Sequence, residues 1–195
     1  MDIVDRAVQV LRRDGIIVYP TDTVYGLGGD AFSDDAVLRV YEAKGRPFGK
    51  PISVAVSDAE MLCAIACADD LALAFIGRFL PGPVTVVLGA RSCIPPVLTG
   101  GTGRIGVRVP AHDLALRILR GFDSPITATS ANPSGEPDPA SPGEVRVPYD
   151  LLVDGGSLPG TPSTVVDLVE RRILRKGALA DEVAAYLREQ AGKGA

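Results

Sequence analysis

The chain has 195 residues, 46% of them hydrophobic and 23% charged, and a formal net charge of -4. That length can bury a substantial core in one folding unit, and the acidic balance argues against a protein that coats nucleic acid, which needs a broad basic surface to displace counterions. Cys63, Cys67 and Cys93 are too few and too unevenly spaced for a zinc site or a disulfide framework.

Elements alternate along the chain. Ile3, Ala7, Val10 and Leu11 have the spacing of an amphipathic helix ended by Gly15. The amino-terminal stretch lacks a cationic lead followed by an apolar core. No apolar run reaches the roughly 18 residues of a membrane span, so a cytoplasmic protein without a membrane segment is expected. Ile16 to Tyr19 is a short β-branched run closed by Pro20, the pattern of a buried strand. Thr21, Asp22 and Thr23 follow at its end, where ligands usually sit in an α/β sheet. Ser33 is placed to cap a helix whose first turn holds Asp34 and Asp35 and whose apolar stripe is Ala36, Val37, Val40 and Tyr41.

That helix is expected to fray near Lys44 and Gly45. Pro47, Gly49 and Pro51 then leave Lys44, Arg46 and Lys50 on a stiffened loop, three cations within seven residues. The functional reading is a polyphosphate or other anion site, since restricted backbone lowers the entropy cost of presenting the charges. On such a loop a cation could be removed without opening a core cavity.

A second strand is expected at Ile52 to Val56 and a short helix capped by Asp58, with Cys63 and Cys67 four apart on it as buried packing residues. Leu71 to Leu80 reads as a helix halted by Pro81-Gly82-Pro83, and Val84 to Leu88 as a strand. Ala90 to Gly103, rich in Pro and Gly, carries no helix or strand signal. Arg104 to Val109 alternates, with Ile105, Val107 and Val109 on one face and Arg104, Gly106 and Arg108 on the other.

Leu114 to Leu119 is helical. Pro125 to Ala128 is a strand running into Thr129-Ser130-Ala131-Asn132, a second hydroxyl and amide cluster. Residues 133–148 read as irregular. Strands at Leu151 to Val153, Thr164 to Val169 and Ile173 to Arg175 and a helix at Asp181 to Gln190 complete a mixed α/β sheet in one domain, residues 1–195.

Familiar chemistries fail one by one. Gly26-Leu27-Gly28-Gly29-Asp30-Ala31 has the outline of a dinucleotide fingerprint with Asp58 as ribose ligand, but six residues separate it from the preceding strand. His112 is the single histidine, which excludes His-rich metal sites; it stands at a helix start, where exposure or capping is expected. Cations, hydroxyls and backbone amides remain, an inventory suited to positioning and charge neutralisation at a nucleotide.

The motifs PTDTVYGL, KGRP with Lys50 four residues after Arg46, PGPVT, IGVRVP, TSANPSG and PSTVVD, in that order from Pro20 onward, resemble those of the YrdC-type threonylcarbamoyl-adenylate synthases. The resemblance covers nearly the whole chain and is to the short, single-domain form. It implies an open, twisted, mixed sheet flanked by helices around a large positively lined cavity. It also implies a reaction in which L-threonine, bicarbonate and ATP, with Mg2+, give threonylcarbamoyl-adenylate and pyrophosphate, the product passing to a tRNA threonylcarbamoyl transferase complex.

By the same resemblance Lys44 and Arg46 serve catalysis and, with Lys50, hold phosphates. Ser130, Asn132, Asp138 and Arg175 lie toward ATP, and Thr23, Arg108 and Ser163 toward threonine. Arg104 and Asp138 match less closely than the others. A double-stranded RNA-binding module, with weak RNA binding in the same basic cavity, and a carbamoyl-adenylate-handling domain stay open as alternatives.

Overall fold

The computed structural model describes residues 2–193. The strands are β1 (Ile17–Tyr19), β2 (Gly26–Gly28), β3 (Val54–Ala55), β4 (Ala66–Cys67), β5 (Val84–Ala90), β6 (Arg104–Arg108), β7 (Ile126–Thr127), β8 (Thr129–Ser130), β9 (Leu151–Leu152), β10 (Thr164–Asp167) and β11 (Arg172–Arg175). The helices are α1 (Ile3–Leu11), α2 (Asp34–Lys44), α3 (Ala59–Ile65), α4 (Asp70–Phe79), α5 (Pro96–Thr99), α6 (Asp113–Phe122) and α7 (Ala180–Lys193).

The mixed α/β reading holds, with the strands divided between two sheets. One has the order β8-β2-β1-β9; the other runs β11-β10-β5-β6-β3-β7, with β4 pairing β5 off that path. Both mix parallel and antiparallel neighbours: β1 is antiparallel to β2 and parallel to β9, while β5 is antiparallel to β6 and parallel to β10. Helices α1 and α6 cover one apolar cluster, in which Leu11, Tyr19, Ile118 and Ile126 are buried; Val40 of α2, Leu62 of α3 and Phe75 of α4 belong to the larger cluster with β5 and β6.

Local chemistry explains most boundaries. Ser33 Oγ accepts from Ala36 N at 3.2 Å, and Asp58 Oδ1 accepts from Met61 N at 2.9 Å, so both expected caps form. That bond also assigns Asp58 a structural role, and Gly26–Gly28 is a strand rather than a phosphate-binding turn, which disposes of the dinucleotide outline.

Several expectations need correction. β2 arises from a Gly-Leu-Gly run with poor strand propensity. A Cβ on Gly26 or Gly28 would stand 3.0 or 2.9 Å from the Tyr19 ring, so glycine is what allows the two strands to close over that buried side chain. The stretch 90–103 holds α5, beginning at Pro96, where proline fits the first helical turn. It packs back through Ile52 N, which donates to Leu98 O at 2.9 Å. Cys67 lies in β4 and is exposed, while Cys63 on α3 is half-buried, so the pair does not share a buried helical face.

Lys44 closes α2 and is 3% exposed, rather than standing on the loop. His112 occupies the residue before α6, but its side chain makes no capping bond and is half-buried. No helix among the described residues is long and apolar enough to cross a membrane.

Candidate active site

β7 belongs to one sheet and β8 to the other, with Ala128 alone between them. The chain therefore steps across from sheet to sheet and carries Ser130 and Asn132 into the space where the sheets part. A cavity of about 410 Å³ occupies that space. Thr23, Lys44, Arg46, Lys50, Arg108, Ser130, Asn132, Asp138, Ser163 and Arg175 all line it. Among the described residues five cations and two carboxylates, Glu136 and Asp138, face this one volume.

Lys44 is the most enclosed cation. Its ammonium donates to the Ser130 carbonyl, to the Asn132 carbonyl at 2.6 Å and to Asn132 Oδ1 at 3.1 Å, which accounts for all three of its hydrogens. Burial, reinforced by the Arg46 charge and opposed by Asp138, brings its pKa down to about 8. Gly45 takes the left-handed conformation that ends α2, and Arg46 leaves the helix to donate to Lys50 O at 3.2 Å and Pro51 O at 2.7 Å. Desolvation lowers the Arg46 pKa.

Tyr41 braces the same loop. Its hydroxyl lies 2.8 Å from Lys50 O and 2.9 Å from Val97 O and can donate to either, and its ring packs against Phe48 at 5.2 Å between centroids. Gly49 is held close to Gly100, where an added Cβ would fall 2.4 Å from Gly49 O.

A second group of polar residues stands at the ends of β1, β5, β6 and β11. Arg108, the last residue of β6, donates through Nη1 to Thr23 Oγ1 at 3.0 Å and through Nη2 to Asp22 Oδ1 at 2.6 Å. Thr23 Oγ1 also lies 2.9 Å from Thr21 Oγ1. Arg175 donates to Ser163 O at 2.8 Å and Ser163 Oγ at 3.0 Å, and Ser163 Oγ lies 2.9 Å from Thr85 Oγ1. Burial lowers the Arg175 pKa, with Asp138 opposing.

Thr21 lines the cavity, as expected from its place at the end of β1, whereas sequence reasoning missed Thr85, Ser53, Ser134 and Glu136 as cavity residues. The signal for Thr85 was available: it is the one hydroxyl in the apolar run Val84 to Leu88. Arg104, by contrast, does not line the cavity; it pairs with Asp167 and with Glu170 at 3.0 Å.

Cations at one end, hydroxyls and an arginine fork at the other, and little acid-base machinery suit a site that brings two anions together. The family model for Sua5, YciO and YrdC, described as "Telomere recombination", matches residues 9–177, and the chain belongs to that family. It is 39% identical over 181 residues to the threonylcarbamoyl-AMP synthase of Pyrococcus abyssi strain GE5 / Orsay, covering 89% of this chain and 53% of that protein. With the protein of the same name from Escherichia coli strain K12 the identity is 33% over 187 residues, covering 90% of this chain and 96% of the relative. The solved structure of P. abyssi Sua5 complexed with L-threonine superposes with a TM-score of 0.86 at 37% identity, over 94% of this chain and 56% of that one. The chain thus spans about half the length of the archaeal relative it matches.

Proposed function

We propose that the protein is an L-threonylcarbamoyladenylate synthase, a nucleotidyltransferase that forms threonylcarbamoyl-AMP and pyrophosphate from L-threonine, bicarbonate and ATP. The observation that carries this reading is the joining, in one cavity, of the group of Arg108, Thr23, Ser163 and Arg175 to the group of Lys44, Arg46 and Lys50. The relatives named threonylcarbamoyl-AMP synthase supply the chemistry that such a cavity would serve.

The threonine amine attacks the carbon of bicarbonate, water leaves, and the resulting carbamate attacks the α-phosphorus of ATP as the bond to the β-phosphate oxygen breaks. Two anions must meet, so the site has to neutralise charge rather than move many protons. In this reading Arg108 takes the threonine carboxylate with a two-pronged bond and Thr23 contacts the amino acid, with Ser163 beside it. Arg46 and Lys50 hold the phosphates, while Lys44 contributes its charge from behind and fixes Ser130 and Asn132 against the nucleotide. Asp138 and Arg175 complete the ATP side.

Mg2+ would neutralise phosphate charge when bound with ATP. Among the described residues no group of three His, Cys, Asp or Glu side chains could cage a metal, and a magnesium ion carried by ATP phosphates needs only one or two carboxylates, for which Glu136 and Asp138 stand at the cavity wall. The product is a reactive acyl-adenylate, which calls for a transferase complex acting on tRNA, and the reaction belongs in the cytoplasm.

The test is pyrophosphate release by the purified protein with ATP, Mg2+ and bicarbonate, with and without L-threonine. Release that requires both threonine and bicarbonate is expected. Threonine-independent behaviour in a folded, ATP-binding preparation would overturn the reading and favour carbamoyl-adenylate handling or salt-sensitive binding of double-stranded RNA.

A further inference from the structure

Arg108 is 7% exposed, and the Asp22 side chain that faces it is 13% exposed. Asp22 does not line the cavity, whereas Arg108 and Thr23 do. The two residues that grip the guanidinium, Asp22 at 2.6 Å and Thr23 at 3.0 Å, are consecutive in the loop after β1, so one short piece of backbone fixes both terminal nitrogens. That loop is itself closed by Thr21, whose hydroxyl donates to Val24 O at 2.7 Å and accepts from Val24 N at 3.3 Å.

A buried arginine without a counter-charge is costly, and a long flexible side chain without two fixed bonds has no defined plane. Asp22 supplies the charge and one of the bonds. Its other oxygen, Oδ2, and Arg108 Nε are buried without a partner, so this pair is not a satisfied structural network of the kind that ties down a core.

We infer that Asp22 is a positioning residue: it sets the plane of the Arg108 guanidinium from outside the cavity, so that the Nη hydrogens not spent on Asp22 and Thr23 are presented to the carboxylate of an amino-acid substrate. This rests on the reaction proposed above, in which Arg108 anchors threonine. The selectivity expected is for a carboxylate of fixed orientation, because a guanidinium held at two nitrogens cannot swing to follow a misplaced one.

The experiment is a double-mutant cycle of D22A, R108A and D22A/R108A, with D22N as a further variant, read as KM for L-threonine and for ATP in threonine-dependent pyrophosphate release. D22A should raise the threonine KM about tenfold or more with the ATP KM changed less than about twofold, and add nothing in the R108A background. D22N, whose amide oxygen can still accept from Arg108, should fall between wild type and D22A.

Equal shifts in both KM values, or a D22A effect that persists fully without Arg108, would overturn the inference. If D22A does not fold, D22N and the double variant, which removes the buried charge pair as a unit, carry the same comparison. If the wild type shows no threonine-dependent release, the proposed reaction fails, and the crystal structure of D22N decides the separate point. A guanidinium displaced from Thr23 supports positioning by Asp22; one left in place overturns it.

Discussion

Lys44 Nζ is bonded to both oxygens of Asn132, the carbonyl at 2.6 Å and the side-chain amide at 3.1 Å, while the Lys44 carbonyl accepts from Ser134 N at 2.8 Å. The end of α2 and the segment 130–134 are thereby one piece. Lys44→Ala would leave three oxygens without their donor, two of them on the backbone. A loss of about 2–3 kcal/mol in stability is expected together with loss of adenylate formation. Chemical denaturation separates the two effects. This corrects the expectation that a cation here could be removed without cost to the fold, an expectation that suits Arg46 better.

Titration of Lys44 gives a pH signature. Its folded pKa, about 8, lies below the ordinary lysine value of 10.5 because burial disfavours the charged form. The protonated ammonium supplies both the charge and the third hydrogen, so activity should fall as pH rises through about 8. Stability should move the other way: between about pH 8 and 10.5 the unfolded chain binds more protons, and the folded state gains as pH rises. A pH profile of kcat/KM for ATP checks the first, and thermal unfolding across the same range checks the second. In Lys44→Arg the alkaline fall should shift well above pH 8, since arginine stays charged there.

Under the proposed reaction, substituting the two ends of the cavity should separate the effects on threonine from those on ATP. Arg108→Ala is expected to raise the threonine KM more than the ATP KM, and Arg46→Ala the reverse. Equal effects of either change on both substrates would remove the assigned polarity of the cavity.

Arg104→Ala should behave as a structural change. The residue ties β6 to Asp167, which is 2% exposed, and to Glu170. Its loss should lower Tm by a few degrees and leave both KM values within about twofold. A selective rise in one KM would assign Arg104 to the site after all.

Gly28→Ala tests the closure of β2 on Tyr19. With the new Cβ 2.9 Å from a ring that is fully buried, about 1–3 kcal/mol should be lost as the strand or the ring shifts. Denaturant unfolding measures it directly.

Much of this was readable in the chain because the signals were local. Ser33 and Asp58 announce their helices through a hydroxyl or carboxylate three residues before the amide it accepts from. Most of the ten candidate site residues stand at strand and helix ends or on the loop after α2, while Asp138, Ser163 and Arg175 were assigned only through the family resemblance; all ten line one cavity.

What escaped was set by contacts distant in sequence. β2 exists because Tyr19 needs its glycines, and α5 forms in a proline-rich stretch because Leu98 and Val97 find partners in Ile52 and Tyr41. The burial of Lys44 depends on oxygens 86 and 88 residues away, and the pairing of Asp22 with Arg108 spans 86 residues. No spacing rule reaches that far.

The single-residue step at Ala128 has a mechanical consequence. Strands on either side of it answer to different sheets, while Ala128 N donates to the carbonyl of Ser53, itself a wall residue, at 2.7 Å. One residue earlier Thr127 N donates to Gly29 O at 2.8 Å, just beyond β2, and Thr127 Oγ1 donates to Leu27 O at 3.0 Å, so the two sheets are clamped together directly beside the step that carries Ser130 into the cavity. The exchange rate of the Ala128 amide hydrogen should therefore report how firmly that clamp holds the wall at Ser53.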